Sequence, residues 1–201
     1  MLDTILGRPG NIVARWLDGL ARLFVRGGVA PNALTYAALA FGLMAAWLFY
    51  SGHGWLALLT LGISGLADAI DGRVARLGAG STRWGGVLDL TFDRIVEAAV
   101  LLGIAAPHPD WHLPALVLAC TWYVNLCVFL AIGAASERPG EKLIVYPPGL
   151  LERSEALLLA LVVVVTPRLA PAAAYVYAVL EVITAAQRFR YGRRALHTAP
   201  G

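Results

Sequence analysis

Four aspartates stand where aspartates are costly. Asp68, Asp71, Asp89 and Asp93 lie inside two long apolar stretches, and an ionisable side chain in such a stretch marks function by default. On a helix turning about 100° per residue, Asp68, Asp71, Gly72 and Ala75 share one face. Gly85, Asp89 and Asp93 form an i, i+4, i+8 stripe on the next stretch. Only residues 77–83 separate the two stretches, so they are expected to pair as antiparallel neighbours with all four carboxylates at similar depth. Four carboxylates in a low-dielectric pocket cannot all stay ionised unaided. Either some carry protons or cations neutralise them. Two divalent ions balance four negative charges, and hard oxygen donors suit Mg2+ or Mn2+. A pair of such ions fits in-line displacement at phosphorus, where it neutralises a diphosphate and stabilises the attacking and leaving oxygens. Gly72 and Gly85 leave room beside the carboxylates for a bulky ligand or for close helix approach. Arg76 offers a cation to a phosphate or a carboxylate. The alternative is structural: aspartates buried against Arg73, Arg76 and Arg94.

The composition indicates what must position these groups. The chain has 201 residues, 59% hydrophobic and only 14% charged, with a mean hydropathy of +0.68. A soluble domain usually carries about 25% charged residues, so the expectation is an all-α integral membrane protein, one domain over residues 1–201, with no soluble module. Six apolar stretches are long enough to span a bilayer or nearly so: residues 33–50, 55–76, 84–106, 111–135, 150–165 and 171–189. They make a six-helix bundle over about residues 33–190.

Charge orients the bundle. The N-terminal segment, the loops after the second and fourth spans, and the C-terminus hold nearly all the arginines and lysines; the other side has only Arg168. That asymmetry places the basic side, both termini and the aspartates on the cytoplasmic face of an inner membrane. The net charge of +3 follows from topology, and no nucleic-acid partner is expected. Within the interfacial segment 1–30, Ile12, Val13, Trp16, Leu17, Leu20, Leu23 and Phe24 recur at helical spacing opposite Arg15, Asp18 and Arg22, which predicts an amphipathic helix on the membrane surface among lipids. The charges there argue against a signal peptide. Cys120 and Cys127 share a helix face about 10 Å apart, too far for a disulfide, and are expected as small packing residues.

From Asp68 to Asp93 the chain reads Asp-x2-Asp-Gly-x2-Ala-Arg-x8-Gly-x3-Asp-x3-Asp. This resembles the signature of the CDP-alcohol phosphatidyltransferase family at all eight fixed positions and their gaps. Pro31-Asn32-Ala33-Leu34-Thr35 is similar to the segment that opens the family's first span. The resemblance implies transfer of a phosphatidyl-type group from a CDP-linked lipid, such as CDP-diacylglycerol, to an alcohol, with CMP leaving. It implies that Asp68, Asp71 and Asp89 are metal ligands. Asp93 would be the general base for the acceptor hydroxyl, with a second ion within its reach. Gly72, Ala75, Arg76 and Gly85 would line the CDP site with Asp68 and Asp71, joined by Asn32 and Thr82. The family is typically homodimeric.

The acceptor half is written in other residues. Glu152-Arg153-Ser154-Glu155 and Thr184-Ala185-Ala186-Gln187-Arg188 resemble elements of the inositol-phosphate-using branch, and Arg153 and Arg188 are the expected clamps on an acceptor phosphate. Two departures stand beside that resemblance: Ala156 replaces a second arginine, and no basic residue occurs between Arg94 and Arg138. Arg153 and Arg188 could equally snorkel at span ends. Inositol phosphate, glycerol phosphate and an uncharged alcohol stay open as acceptors. Glu97 extends the Asp89–Asp93 stripe or pairs with Arg94; Asn125, Glu155 and Glu181 are intramembrane polar groups suited to bonding neighbouring helices. Two rival readings make different demands on the sequence. An intramembrane prenyltransferase would space its aspartate motifs farther apart. A non-enzymatic proton or cation transporter would spread ionisable residues through the membrane and show repeats.

Overall fold

The computed structural model describes residues 12–78, 80–135 and 153–198. Among them every regular element is a helix: α1 Ile12–Arg26, α2 Pro31–Tyr50, α3 Gly54–Leu77, α4 Arg83–Ala105, α5 His112–Ala135, α6 Arg153–Val165 and α7 Ala170–Thr198, with 3-10 turns at Pro109–Trp111 and Pro167–Leu169. Among the described residues four segments are long and apolar enough to cross a bilayer: Pro31–Tyr50, Gly54–Leu77, Pro109–Ala135 and Pro167–Leu196. That pattern is of a multi-pass membrane protein. The other two expected spans differ for separate reasons. α4 has the length but carries Asp89, Asp93, Arg94 and Glu97 in one window. α6 has 13 residues, about 20 Å of helix against a hydrocarbon core of about 30 Å. The polar stretch 136–148, with Arg138 and Lys142, lies outside the described residues.

The chain divides into two compact units, one holding α1 to α4 and the other α5 to α7. In the first, α1 shows three faces where the sequence predicts two. Leu17 and Ala21 are buried with Leu34, Ile70 and Val74, and Leu20, Phe24 and Val25 pack against that cluster. Ile12, Trp16 and Leu23 form a separate apolar stripe, 79%, 56% and 61% exposed. Arg15, Arg22 and Arg26 are exposed on the remaining side. Asp18 leaves that polar face to accept from Arg73 Nε at 3.1 Å, which ties α1 to α3.

α2 and α4 approach at backbone distance. A Cβ placed on Gly103 would lie 2.2 Å from the Ala46 carbonyl oxygen, and one on Gly42 would lie 2.4 Å from Val96 Cγ2. Only glycine permits these contacts, as expected where dispersion rather than the hydrophobic effect holds helices together in lipid. Ser64 Oγ donates to the Ala38 carbonyl at 2.7 Å and joins α2 to α3.

In the second unit, α5 and α7 bury Leu118 and Thr184 completely, and Trp122 meets Tyr177 edge to face with ring centroids 6.3 Å apart. α7 runs nine residues past the predicted end at Phe189, to Thr198. The arginines after Phe189 end the apolar pattern but are good helix formers. Cys120 and Cys127 are free thiols on an exposed face of α5. That corrects their expected role as packing residues: the face they share points away from the α5–α7 core.

Candidate active site

Asp68 and Asp71 on α3 and Asp89 on α4 converge. One carboxylate oxygen from each lies within 4.8 Å of the other two. A divalent cation held at about 2.1–2.4 Å from each of two opposed oxygens separates them by about 4.2–4.8 Å, so the trio has the donor type and spacing to hold one. Asp71 is the buried member, and Asp68 and Asp89 are half-buried. Asp93 follows one turn beyond Asp89, about 6 Å along the axis, also half-buried.

Asp71 is oriented from α2. Thr35 Oγ1 donates to Asp71 Oδ2 at 2.6 Å and is itself buried. The sequence places Thr35 only in the segment opening the first span, with no role of its own. Residues that hold ligating carboxylates in place typically change metal affinity by about 10–100-fold when removed. Thr35→Val keeps the shape and deletes the donor. The expected outcome is a roughly tenfold higher Mn2+ concentration for half-maximal activation, with the maximal rate much less affected; an unchanged Mn2+ curve would remove Thr35 from the site.

The expected nucleotide residues fall into two groups. Asn32, at the start of α2, and Thr82, the N-cap of α4, meet at Gly85: a Cβ there would lie 3.0 Å from Thr82 Oγ1 and 3.6 Å from Asn32 Oδ1. Thr82 Oγ1 accepts from the Gly85 amide at 2.9 Å, so its hydroxyl oxygen caps the helix. Gly72, Ala75 and Arg76 line the C-terminal turns of α3; a Cβ on Gly72 would meet only Arg76 Nη1, at 3.5 Å. Among the described residues no packing contact requires glycine there.

Two of the arginines that the structural alternative invokes also have other partners. Arg73 is taken by Asp18 and by the Ala69 carbonyl. Arg94 donates to Glu97 at 2.7 Å, so Glu97 pairs with Arg94. Tyr36 on α2 meets Phe92 on α4 edge to face, with centroids 5.2 Å apart, and this fixes the rotation of the turn bearing Asp93.

Of the expected acceptor residues, Arg153 opens α6, and Glu152 before it lies outside the described residues. Arg188 on α7 is half-buried. Its Nη1 donates to Asn125 Oδ1 at 2.9 Å, and its guanidinium carbon sits 5.2 Å from the Phe129 ring centroid. Asn125 Nδ2 in turn donates to Glu181 Oε2. A snorkelling arginine sends its head to the boundary; this one is held against α5.

The sequence profile described as CDP-alcohol phosphatidyltransferase matches residues 28–187. The phosphatidylinositol phosphate synthase of Mycolicibacterium smegmatis is 33% identical over 195 residues, covering 90% of this chain and 84% of that protein. The crystal structure of Mycobacterium tuberculosis phosphatidylinositol phosphate synthase with CDP-DAG bound superposes with a TM-score of 0.72 at 27% identity, covering 93% of this chain and 96% of that one. The same enzyme in complex with manganese and citrate gives 0.72 at 28% identity, covering 92% and 90%.

Proposed function

The chain belongs to the CDP-alcohol phosphatidyltransferase family, and from that premise we propose that it makes a phosphatidylinositol phosphate, with inositol phosphate as the acceptor. It is a divalent-cation-dependent enzyme of phospholipid synthesis that transfers a phosphatidyl-type group from a CDP-linked lipid to an alcohol and releases CMP. The observation that carries the chemistry is the convergence of Asp68, Asp71 and Asp89. The acceptor rests on the named relatives and on Arg188, whose guanidinium can meet a phosphate bidentately.

In this proposal Asp68, Asp71 and Asp89 hold metal, and a bound divalent ion, or a pair of them, would neutralise the charge of the donor's diphosphate. Gly72, Ala75, Arg76 and Gly85, with Asn32 and Thr82, receive the CDP group. Asp93 takes the proton of the acceptor hydroxyl as its oxygen forms a bond to the lipid-bearing phosphorus. The bond from that phosphorus to CMP breaks, and CMP departs with the electron pair. Arg188 and Arg153 grip the acceptor phosphate; Ala156 leaves this chain one arginine fewer for that task.

The architecture proposed around the site is a single domain of six spans that includes α4 and α6. The charge asymmetry supports an inner-membrane location with both termini and the site on the cytoplasmic side. The exposed stripe Ile12, Trp16 and Leu23 beside Arg15, Arg22 and Arg26 suits α1 to a lipid surface. The working assembly is proposed to be a homodimer, by family likeness.

One assay separates the acceptors. Purified protein with CDP-diacylglycerol and Mn2+ or Mg2+ is given inositol phosphate, glycerol phosphate, inositol and serine in parallel. CMP is expected with inositol phosphate, and a chelator is expected to stop it. Faster CMP release with any of the others overturns the acceptor; release that survives chelation overturns the metal centre.

A further inference from the structure

We propose that Asn125 is a positioning residue for acceptor recognition: with Glu181 behind it, its side-chain amide sets the plane of the Arg188 guanidinium. The proposal rests on Arg188 gripping the acceptor phosphate. It starts from two buried polar groups that the transfer chemistry does not use. Asn125 on α5 is 7% exposed and Glu181 on α7 is 5% exposed. Both lie in segments apolar enough to cross a bilayer, where an amide and a carboxylate are costly unless bonded.

The chain of donors has a direction. The Asn125 carbonyl oxygen accepts from Arg188 Nη1, and its NH2 group donates to the Glu181 carboxylate. An asparagine side chain has one accepting and one donating end. Rotating the amide by half a turn would set NH2 against the guanidinium and oxygen against the carboxylate, two repulsive contacts in place of two bonds. One orientation survives. Glu181 and Arg188 are seven residues apart on α7, about 10 Å along the axis, and the amide from α5 spans that gap. The Phe129 ring beneath the guanidinium carbon restricts the group further. Hydrogen bonds to charged groups in such surroundings are the stronger class, and a guanidinium fixed in its plane loses less freedom when it meets a phosphate.

A residue that merely held α5 to α7 would affect both substrates alike, so the test compares KM values. In the full-length enzyme, Asn125→Leu removes both bonds. Its KM for inositol phosphate is expected to rise about tenfold, with the KM for CDP-diacylglycerol within twofold of wild type. Asn125→Asp sets two carboxylates face to face and is expected to do the same. The double exchange Asn125→Asp with Glu181→Gln restores the direction of the chain, because the aspartate accepts from both Arg188 and the new amide. It is expected to return the acceptor KM to within about twofold of wild type. Should Asn125→Leu fail to fold, Asn125→Asp and its rescue decide. Equal rises for donor and acceptor, unchanged acceptor KM in the single variants, or absence of rescue overturn the proposal. Arg188→Gln separates the two layers. If it leaves the acceptor KM unchanged, the acceptor reading falls and takes the positioning role with it. If Arg188→Gln raises that KM and Asn125→Leu does not, only the positioning role falls.

Discussion

Asp89→Asn stops the reaction: CMP release from CDP-diacylglycerol is expected to fall by about a thousandfold, roughly 4 kcal/mol of transition-state stabilisation. The amide keeps the volume and half the acceptor capacity of the carboxylate but none of its charge. Asp89 is the one member of the trio contributed by α4, so its loss leaves two ligands, both on α3. Mn2+ binding, measured directly on the purified protein, should weaken along with turnover. Asp93→Asn makes the contrast. It is expected to lose turnover by about a hundredfold or more while the trio still binds Mn2+. Activity within tenfold of wild type in a folded Asp89→Asn protein would sink the metal centre. Loss of Mn2+ binding in Asp93→Asn would move that residue from base to ligand.

Gly103→Ala is expected to be among the most damaging substitutions away from the carboxylates. The added methyl would lie 2.2 Å from the Ala46 carbonyl oxygen and 2.9 Å from its carbonyl carbon. Those are backbone atoms of α2, so relief requires moving a helix. Overpacking of this kind costs about 1–3 kcal/mol where side chains can shift, and here none is available to do so. α2 also carries Thr35, so separating α2 from α4 disturbs the hydroxyl on Asp71. A Tm lowered by several degrees in detergent, together with reduced activity, is the expected pair of readings. Gly62→Ala on α3, where no described residue lies within 4 Å of the new methyl, is the matched control and should leave Tm unchanged or raised. Equal Tm values for the two variants would mean that α2 and α4 do not pack this closely.

Much of the site could be read before any fold was known, because its chemistry is encoded locally. Asp68 and Asp71 are three residues apart and Asp89 and Asp93 four, so helical periodicity groups each pair. The short connection does not make α3 and α4 direct packing neighbours as expected: both pack on α2, and only their carboxylates converge. The same locality placed α2 to α5 within a few residues of their observed bounds. The rest depends on pairs far apart in sequence. Thr35 and Asp71 are 36 residues apart, Asn125 and Arg188 63; neither pair leaves a periodic trace. Gly42 and Gly103 look like ordinary residues of apolar stretches until the facing helix is known. Periodicity also could not say which side of α1 docks. It grouped Leu17 with Trp16 as apolar and Asp18 with Arg22 as solvated, whereas Ile70, Val74 and Arg73 on α3 select Leu17 and Asp18 as the docking side.

The first turn of α2 touches two corners at once: Asn32 stands at the Gly85 and Thr82 corner, and Thr35, one turn on, holds Asp71. A helical turn is stiff over that distance, so the two corners share one set of conformational fluctuations. Whatever freezes that motion at one corner leaves less entropy to be lost at the other. If a nucleotide occupies one corner and a metal the other, as proposed, any tightening of one by the other is reciprocal and by the same factor. The turn would then link the proposed nucleotide and metal corners without any change of fold.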